Sequence, residues 1–184
     1  MNVSEAIATR KSVRAYLDKP VLPEDLEKII EVGRWAPNAG AFQISVVRNA
    51  ELRQKINDRT LDAMVHSGNE FLQQRASLPG YQPLYGAPVL VLLSGPAAAP
   101  YSAVNAALAA ENMLLEATGL GLGSCFLVSP TLALNQEDDR ALLEEAGIPD
   151  DYTLLCAVIV GYAAAENKFS VGERTRKGSV NYVD

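Results

Sequence analysis

Two unbroken apolar runs constrain the fold of this chain most strongly. "VLVLLS" at residues 89–94 and "LLCAVIVG" at residues 154–161 contain almost no polar side chains. A strand with one solvated face alternates apolar and polar residues, so runs of this kind are typical of strands buried on both faces. The alanine-rich stretch 101–118 follows the first run and predicts a helix whose small side chains allow close packing. The sequence therefore predicts a sheet covered on both sides.

The rest of the chain alternates between further predicted strands and helices. Periodicity alone suggests a parallel, doubly wound sheet. No internal repeat or linker divides the sequence, so we expect a single domain, 1–184. The other predicted elements are a short helix capped by Ser4, a helix opening at Pro23, a strand at 44–48, a polar helical stretch at 51–75 interrupted near Ser67 and Gly68, a strand at 124–128 and an acidic helix at 136–145 that ends at Gly147.

Composition excludes several classes of function. With 22 acidic and 16 basic side chains in 184 residues, the net charge is -6, which disfavours nucleic acid as a partner. We expect no membrane span and no signal peptide, and hence a cytoplasmic protein. Cys125 and Cys156 lie in apolar runs and are expected to be buried, reduced fillers. Because His66 is the only histidine, we expect neither a metal site nor histidine-based catalysis.

Positive charge is concentrated in two short segments. Arg10, Lys11 and Arg14 fall within five positions, and Arg174 and Arg176 lie two apart near the end of the chain. Cations at a helix C-terminus can simply complement the macrodipole. However, Ser12 adds a hydroxyl group among the first three cations, and a bound phosphate would need about as much compensation as the two segments offer together. The pattern favours an anionic ligand.

Two glycine-containing stretches have competing interpretations. "WAPNAGAFQ" at residues 35–43 offers a rigid proline, small residues for close backbone approach and the amides of Asn38 and Gln43, but it also fits an ordinary loop. "GLGLGSC" at residues 119–125 follows a helix and precedes a strand, the reverse of a dinucleotide fingerprint. We therefore interpret it as a helix C-cap followed by a tight turn into a strand, with Gly119 as the first candidate for the cap and Gly121 as the second.

The order of these segments resembles that of the nitroreductase family that depends on flavin mononucleotide (FMN). "RKSVRAYLDKPV" followed by "APNAGAFQ" is similar to the start of family members, and "YGAPVLVLL", "AALAAENMLLEATGLGLGSCFLV" and "ERTRKGSVNYV" continue the likeness. The resemblance implies an α+β fold with a central mixed, largely antiparallel sheet flanked by helices. It also implies a homodimer in which helix 101–118 forms much of the interface and the C-terminal segment is exchanged.

The resemblance further implies a set of cofactor-binding residues. The first basic segment would meet the ribityl-phosphate side of FMN, with Arg14 at the pyrimidine edge, and the tail cations would bind the phosphate. The loop would come from the partner subunit, and backbone amides near residue 128 would face flavin N5. By position these residues are Arg10, Lys11, Ser12, Arg14, Pro37, Asn38, Ala39, Val128, Ser129, Arg174 and Arg176.

The reaction implied is ping-pong transfer of electrons from NAD(P)H through FMN to a nitroaromatic, quinone or similar small acceptor. No side chain has to ionise, so no catalytic residue is assigned. Phe42 is expected to contact substrate and Trp35 to pack in the core. Asn38 and Ala41 depart from the usual serine and asparagine of the family, which leaves substrate choice open. Flavin destruction, dehalogenation or dehydrogenation on the same scaffold is an alternative, as is a non-catalytic FMN-binding dimer.

Overall fold

The computed structural model describes residues 1–166, 169, 175 and 177–183, and within this part of the chain helices and strands alternate. Arg174 and Arg176 lie outside the described residues. In chain order the elements are α1 (Val3–Thr9), α2 (Pro23–Arg34), β1 (Gln43–Val47), α3 (Ala50–Val65), α4 (Glu70–Ala76), β2 (Val89–Pro96), α5 (Ser102–Gly119), β3 (Gly123–Leu127), α6 (Pro130–Leu134), a single 3-10 turn at Glu137–Asp139, α7 (Arg140–Glu145) and β4 (Tyr152–Gly161).

The described strands form one sheet in the order β1-β2-β4-β3, and each neighbouring pair is antiparallel. The α+β expectation is therefore confirmed, and the parallel sheet suggested by periodicity is wrong. The reason is physical: a strand buried on both faces has the same apolar sequence whichever way its neighbours run. Exchange of a C-terminal segment is not tested by a single copy and stays a prediction.

Each face of the sheet has its own core. Leu90 and Leu92 of β2 point into a cluster with α3, α6 and α7, whereas Val91 and Leu93 point into a cluster with α2 and α5. All four side chains are fully buried. Successive side chains of one strand thus enter opposite cores, which explains why β2 and β4 have no polar side of their own.

The helix boundaries largely follow the sequence signals, with one correction. α2 opens at Pro23, as predicted, and buries Leu26, Ile29 and Gly33. α1, however, is capped by Asn2 rather than by Ser4: the Asn2 side chain accepts a hydrogen bond from the backbone N–H of Glu5, and the Glu5 carboxylate accepts one from the N–H of Asn2. This reciprocal capping box satisfies two orphan donors at once, which Ser4 cannot do from inside the first turn.

The glycine-rich stretch after α5 is a helix terminator that leads into a strand, as predicted. Gly121 has φ 74°. The N–H of Leu122 donates to the carbonyl of Ala117 at 2.8 Å, and that of Gly121 donates to Thr118 at 3.1 Å. This hydrogen-bond pair defines a Schellman motif. The left-handed residue is Gly121 rather than Gly119, and the arrangement has no role for a nucleotide phosphate.

Both cysteines are buried and reduced, as expected. Burial raises the pKa of Cys156 to about 12, so this thiol stays protonated. Within the described part of the chain, no helix is both long and apolar enough to cross a membrane.

A pair of glycines on the last two strands brings the N-terminal segment onto the sheet. Gly123 of β3 is paired with Gly161 of β4. A Cβ at Gly123 would lie 2.9 Å from Val13 Cγ1, and one at Gly161 would lie 2.9 Å from Tyr16 Cδ1. Distances this short are not tolerated between carbon atoms. Gly123 and Gly161, which we call the glycine cradle, therefore leave room for residues 13–16.

The cradle predicts an asymmetric effect of two neighbouring glycine substitutions. Gly123→Ala should lower the free energy of unfolding by about 1–3 kcal/mol, because the added methyl group overlaps the branched Val13 side chain. Gly119→Ala is the matched control, since a Cβ there meets no atom within 4 Å. This change lies at the end of a helix and should be neutral or slightly stabilising. Urea denaturation measures both, and equal stability of the two variants would contradict the cradle.

Candidate functional site

The first predicted basic segment lies against the edge of the sheet in an extended conformation. α1 ends at Thr9, and Arg10 leaves the helix with φ -51° and ψ 131°. Ser12 forms an isolated parallel bridge with Ser124 of β3, and the N–H of Val13 donates to the Ser124 carbonyl at 2.9 Å. The segment is therefore held by backbone bonds to β3, next to the glycine cradle.

The structure brings the four predicted N-terminal residues together. Arg10 has a largely buried side chain, 17% exposed, and its Nε lies 3.6 Å from Oε1 of Glu111 on α5. Lys11 is exposed, whereas Ser12 and Arg14 are half-buried. Within one extended segment the chain thus presents three cationic groups and one hydroxyl in a protein whose net charge is -6. Such a donor set fits a phosphate or another anion.

One buried hydroxyl group beside this segment has unused hydrogen-bonding capacity. Ser124 is 2% exposed, and its Oγ has no hydrogen-bond partner among the described residues. A buried polar atom without a partner is uncommon and costs about 1–3 kcal/mol. Ser124 is bridged through its backbone to Ser12, so this hydroxyl belongs to the residue that pairs with the basic segment. It was missed from the sequence, where it is one small residue in an apolar strand.

The groups beneath the segment are uncharged. Burial raises the pKa of the Cys125 thiol, and the positive charge of Arg14 opposes that shift only in part. Burial also raises the pKa of Tyr16 far above its usual range, and the Tyr16 hydroxyl donates to the carbonyl of Val13 at 2.9 Å. Both side chains therefore stay protonated. They fill space under the cations rather than act as acids or bases.

The predicted loop after α2 is held by a buried amide. The Oδ1 of Asn105 on α5 accepts a hydrogen bond from the N–H of Ala39 at 3.0 Å, and its Nδ2 donates to the Ala39 carbonyl at 3.4 Å. Asn105 is 3% exposed. Pro37, Asn38 and Ala39 themselves are exposed. Asn105 thus fixes the loop while leaving its surface open.

Asn105 is a second residue that the sequence reasoning missed. The signal was present, because an amide side chain interrupts the alanine-rich α5. The same holds for Asn112, about two helical turns further along α5. Its Nδ2 donates to the Val32 carbonyl of α2 at 3.0 Å. Polar residues within an otherwise apolar helix indicate where the helix forms hydrogen bonds with neighbouring segments.

Within one copy, α5 contacts both the loop and the basic segment, but on different faces. Asn105 and Glu111 are six residues apart, which corresponds to roughly 9 Å along the axis and about 120° around it. A single copy therefore brings the four N-terminal residues together and leaves Pro37, Asn38 and Ala39 on another face.

The remaining predicted residues are placed as follows. Val128 and Ser129 immediately follow β3, about 13 Å along the strand from Ser124. The Val128 side chain is 54% exposed, and its carbonyl accepts from the Thr131 N–H at 2.9 Å. Phe42 is half-buried against the core shared by α2 and α5. Whether it touches a substrate stays a prediction.

The prediction for Trp35 is wrong. Its side chain is 78% exposed, and Nε1 donates to Oε1 of Glu31 at 2.9 Å. Ala36 occupies the buried position at the end of α2 instead, at 3% exposure. Trp35 follows the last helical turn at a position that faces outward, so its size alone was a poor guide to burial.

His66 is the C-cap residue of α3, and its side chain is exposed to solvent. Its Nδ1 lies 2.9 Å from the carbonyl and 3.2 Å from Oδ1 of Asp62. Both of these contacts lie within one turn of α3.

Comparisons with known proteins agree with this geometry. The model of the nitroreductase family matches residues 7–162. A protein of Archaeoglobus fulgidus, provisionally named NADH dehydrogenase/NAD(P)H nitroreductase, is 30% identical over 89% of this chain and 86% of its own length.

Two solved structures are similar over their full length. A nitroreductase with bound FMN from Bacteroides fragilis superposes with a TM-score of 0.87 at 31% identity. One with bound FMN from Desulfitobacterium hafniense gives 0.88 at 25% identity. Both alignments cover 100% of this chain and 100% of the other. Together with the match to residues 7–162, they show that the chain belongs to the nitroreductase family.

Proposed function

We propose that this protein is an FMN-dependent oxidoreductase that transfers electrons from NAD(P)H to a small acceptor such as a nitroaromatic or a quinone. The observation that carries the proposal is the basic segment: Arg10, Lys11, Ser12 and Arg14 lie on one extended stretch whose backbone is bridged to Ser124, a residue with a buried, unpartnered hydroxyl. In a chain of net charge -6, this donor set is suited to a phosphorylated ligand. The similar structures from Bacteroides fragilis and Desulfitobacterium hafniense contain FMN, which supports the choice of cofactor.

The residues would share the binding of FMN as follows. Arg10, Lys11 and Ser12 would hold the ribityl-phosphate side, with Arg174 and Arg176 adding charge from the tail. Arg14 would lie at the pyrimidine edge, where its permanent positive charge favours the reduced, more negative form of the ring. Backbone amides near Val128 and Ser129 would orient the ring at N5.

When bound, FMN supplies the redox chemistry: it accepts a hydride from NAD(P)H and passes two electrons to the acceptor. The protein contributes position and electrostatics. Tyr16 and Cys125 remain neutral beneath the site, so no proton is exchanged with the side chains under the cations. The choice of acceptor depends on the exposed loop 37–42, where Asn38 and Ala41 stand.

We further propose that the site is completed by a second copy of the chain. The exposed face of α5 carries an apolar stripe, with Val104 54% exposed and Leu108 42% exposed. These residues and Glu111 recur at helical spacing, and Arg10 lies beside Glu111. Packing of two such faces would place the loop of one copy near the basic segment of the other. Within a single copy, the loop and the basic segment contact different faces of α5.

The C-terminal residues would add to this interface by exchange. Val180, Tyr182 and Val183 are each at least 75% exposed, which is unusual for apolar side chains. β1 is an edge strand of the described sheet, and an open groove of about 960 Å³ lined by Leu26, Ile30 and Val46 lies beside it. An edge strand next to an apolar groove suits a strand donated by a partner. The chain, 1–184, would act as one domain within this dimer.

The redox function predicts the spectrum of the purified protein. It should be yellow, and the absorption bands of oxidised flavin should bleach when NADH or NADPH is added without oxygen and return when a nitroaromatic or a quinone follows.

Arg10→Met should weaken FMN binding by at least tenfold, because a charge-assisted hydrogen bond contributes about 1.5–3 kcal/mol. Lys55→Met is the matched control, since Lys55 is exposed and pairs with Glu145 on α7.

Each component of the proposal can fail separately in this experiment. A colourless protein that does not take up added FMN would rule out the cofactor. Bleaching without reoxidation by either acceptor class would point to another flavin reaction, and bound FMN that no reductant bleaches would indicate a non-catalytic FMN-binding dimer.

The shared site predicts that dimerisation and FMN binding are lost together. Leu108→Glu should give a monomer by light scattering after gel filtration, because it buries a charge in the proposed interface. The monomer should bind FMN at least tenfold more weakly, since the loop of the second copy is missing. Val65→Glu, an exposed apolar residue at the end of α3, is the control. A Leu108→Glu monomer with unchanged FMN affinity would show that one copy suffices.

A further inference from the structure

Tyr16 lies where the chain crosses from β3 to the end of β4, and we call residues 13–17 the crossing. The Tyr16 backbone forms an antiparallel bridge with Ala163, and its ring packs against the core that the sheet shares with α3, α6 and α7. The ring also lies over Gly161, where a Cβ would come within 2.9 Å of Tyr16 Cδ1. The ring is therefore held by the cradle and the core, independently of its hydroxyl group.

The hydroxyl group of Tyr16 turns back onto the crossing itself. It donates to the carbonyl of Val13, three residues earlier, at 2.9 Å. Val13 is 5% exposed. A buried carbonyl needs a donor, and this one receives it from a side chain. Burial raises the pKa of Tyr16 far above its usual range, so the hydroxyl keeps the proton that it donates.

The peptide units around Arg14 are held in two different ways. The N–H of Val13 donates to the backbone of β3 at 2.9 Å, and the carbonyl of Ala15 accepts from the N–H of Ala164 at 3.0 Å. The units before and after Arg14 are thus bonded to the backbone at the edge of the sheet. The unit that joins Val13 to Arg14 is bonded through its carbonyl to the Tyr16 hydroxyl instead.

Planarity of the peptide unit links this hydrogen bond to Arg14. The carbonyl of Val13 and the N–H of Arg14 belong to the same rigid plane and rotate together. By holding the carbonyl, the Tyr16 hydroxyl also fixes the direction in which the Cα–Cβ bond of Arg14 leaves the crossing. Without the hydroxyl, the plane would rotate toward another donor, and the Arg14 side chain would point elsewhere while both ends of the crossing stay bonded.

The charge of Arg14 lies close to the residue that orients its backbone. Burial raises the pKa of both Tyr16 and Cys125, and the positive charge of Arg14 opposes both shifts. A charge acts on a pKa in this way only from nearby. The half-buried Arg14 side chain therefore stays beside Tyr16 and Cys125 rather than extending freely into solvent.

We propose that Tyr16 is a positioning residue for Arg14: by holding the Val13 carbonyl, its hydroxyl group sets the direction from which the guanidinium meets the pyrimidine edge of the flavin. This inference rests on the proposed function, which assigns that edge to Arg14. Tyr16 touches neither FMN nor a substrate in this assignment. It acts through the charge that it aims, because a guanidinium directed at the edge where negative charge develops favours the reduced ring.

Tyr16→Phe separates the hydroxyl group from the ring. Phenylalanine fills the same space over Gly161, so only the hydrogen bond to Val13 is lost. The midpoint potential of bound FMN should fall by about 30 mV, which is a tenfold loss of affinity for reduced relative to oxidised FMN. The Kd of oxidised FMN should stay within threefold. The potential is measured without oxygen against a reference dye, and the Kd by flavin fluorescence, both with the full-length protein.

Tyr162→Phe is the matched control, because it removes the same atom from the neighbouring aromatic residue. Tyr162 is half-buried, and the centroid of its ring lies 3.9 Å from Lys19 Nζ. It holds the crossing through its backbone carbonyl, which accepts from the N–H of Leu17 at 2.9 Å. This variant should keep the relative affinity for reduced and oxidised FMN within twofold of the unmodified protein, which is about 10 mV.

A double-mutant cycle tests whether the effect passes through Arg14. Arg14→Met removes the charge and should lower the potential by more than Tyr16→Phe does. In the Arg14→Met background, Tyr16→Phe should change the relative affinity less than twofold, because no guanidinium is left to position. Equal shifts in the two backgrounds would overturn the proposal, since the hydroxyl group would then act on the flavin by another route.

Hydrogen exchange of the backbone provides a readout that does not depend on FMN. The amides of Val13 and Leu17 should exchange within threefold of the same rate in Tyr16→Phe and Tyr162→Phe, because their bonds to the sheet edge persist. Exchange more than tenfold faster at both amides in Tyr16→Phe would show that the hydroxyl group holds the whole crossing. That result, or a Tyr16→Phe protein that does not fold, would replace the positioning role with a structural one.

The outcomes separate this role from the proposed function. If the unmodified protein binds FMN and Tyr16→Phe has the potential of Tyr162→Phe, the positioning role is overturned while the proposed function stands. The same conclusion follows if Tyr16→Phe loses oxidised and reduced FMN equally. If the unmodified protein takes up no FMN, the proposed function fails, and the positioning role, which is defined on the flavin, fails with it.

Discussion

The close approach of the N-terminal segment to the last two strands is the contact on which the rest of the site depends. Gly123 and Gly161 face each other across β3 and β4, and neither could carry a Cβ without striking Val13, Pro88 or Tyr16. The missing side chains let residues 12–17 lie against the edge of the sheet and form backbone hydrogen bonds with Ser124, Tyr162 and Ala164. The steric room at the two glycines and these backbone bonds thus bring the segment that carries Arg10, Lys11 and Arg14 to the sheet.

This arrangement explains how an acidic protein can present a cationic site. The cations lie on a segment fixed by backbone bonds, close to neutral Cys125 and Tyr16. Arg10 retains a carboxylate neighbour at 3.6 Å, Glu111, on the face of α5 that we assign to the dimer. Formation of the proposed site and formation of the dimer are thereby linked through one helix.

Much of the fold could be predicted from local patterns, but strand direction could not. The apolar runs of β2 and β4 and the break at Ser67–Gly68 between α3 and α4 mark elements correctly. The antiparallel order could not be read from them, because burial on both faces erases the alternation that distinguishes the two kinds of sheet. Trp35 was misplaced for a related reason: exposure depends on which way the chain leaves α2, which no local pattern specifies.

The site was predicted less completely, and the misses share a cause. The basic residues stand out because charge is conspicuous in sequence. Ser124 and Asn105 contact partners 112 and 66 positions away, namely Ser12 and Ala39. Contacts over such separations are set by the topology of the sheet and by α5, so they become visible only once the chain is folded. The tail cations lie outside the described residues and stay a prediction.

The most direct measurement of the central claim is a crystal structure of the protein grown with FMN. The account predicts phosphate oxygens within about 3.2 Å of donors on Arg10 and Ser12, the hydrogen-bonding distance, with loop 37–39 of a second copy against the same flavin. A flavin whose phosphate lies away from residues 10–14, or that contacts one copy only, would contradict it.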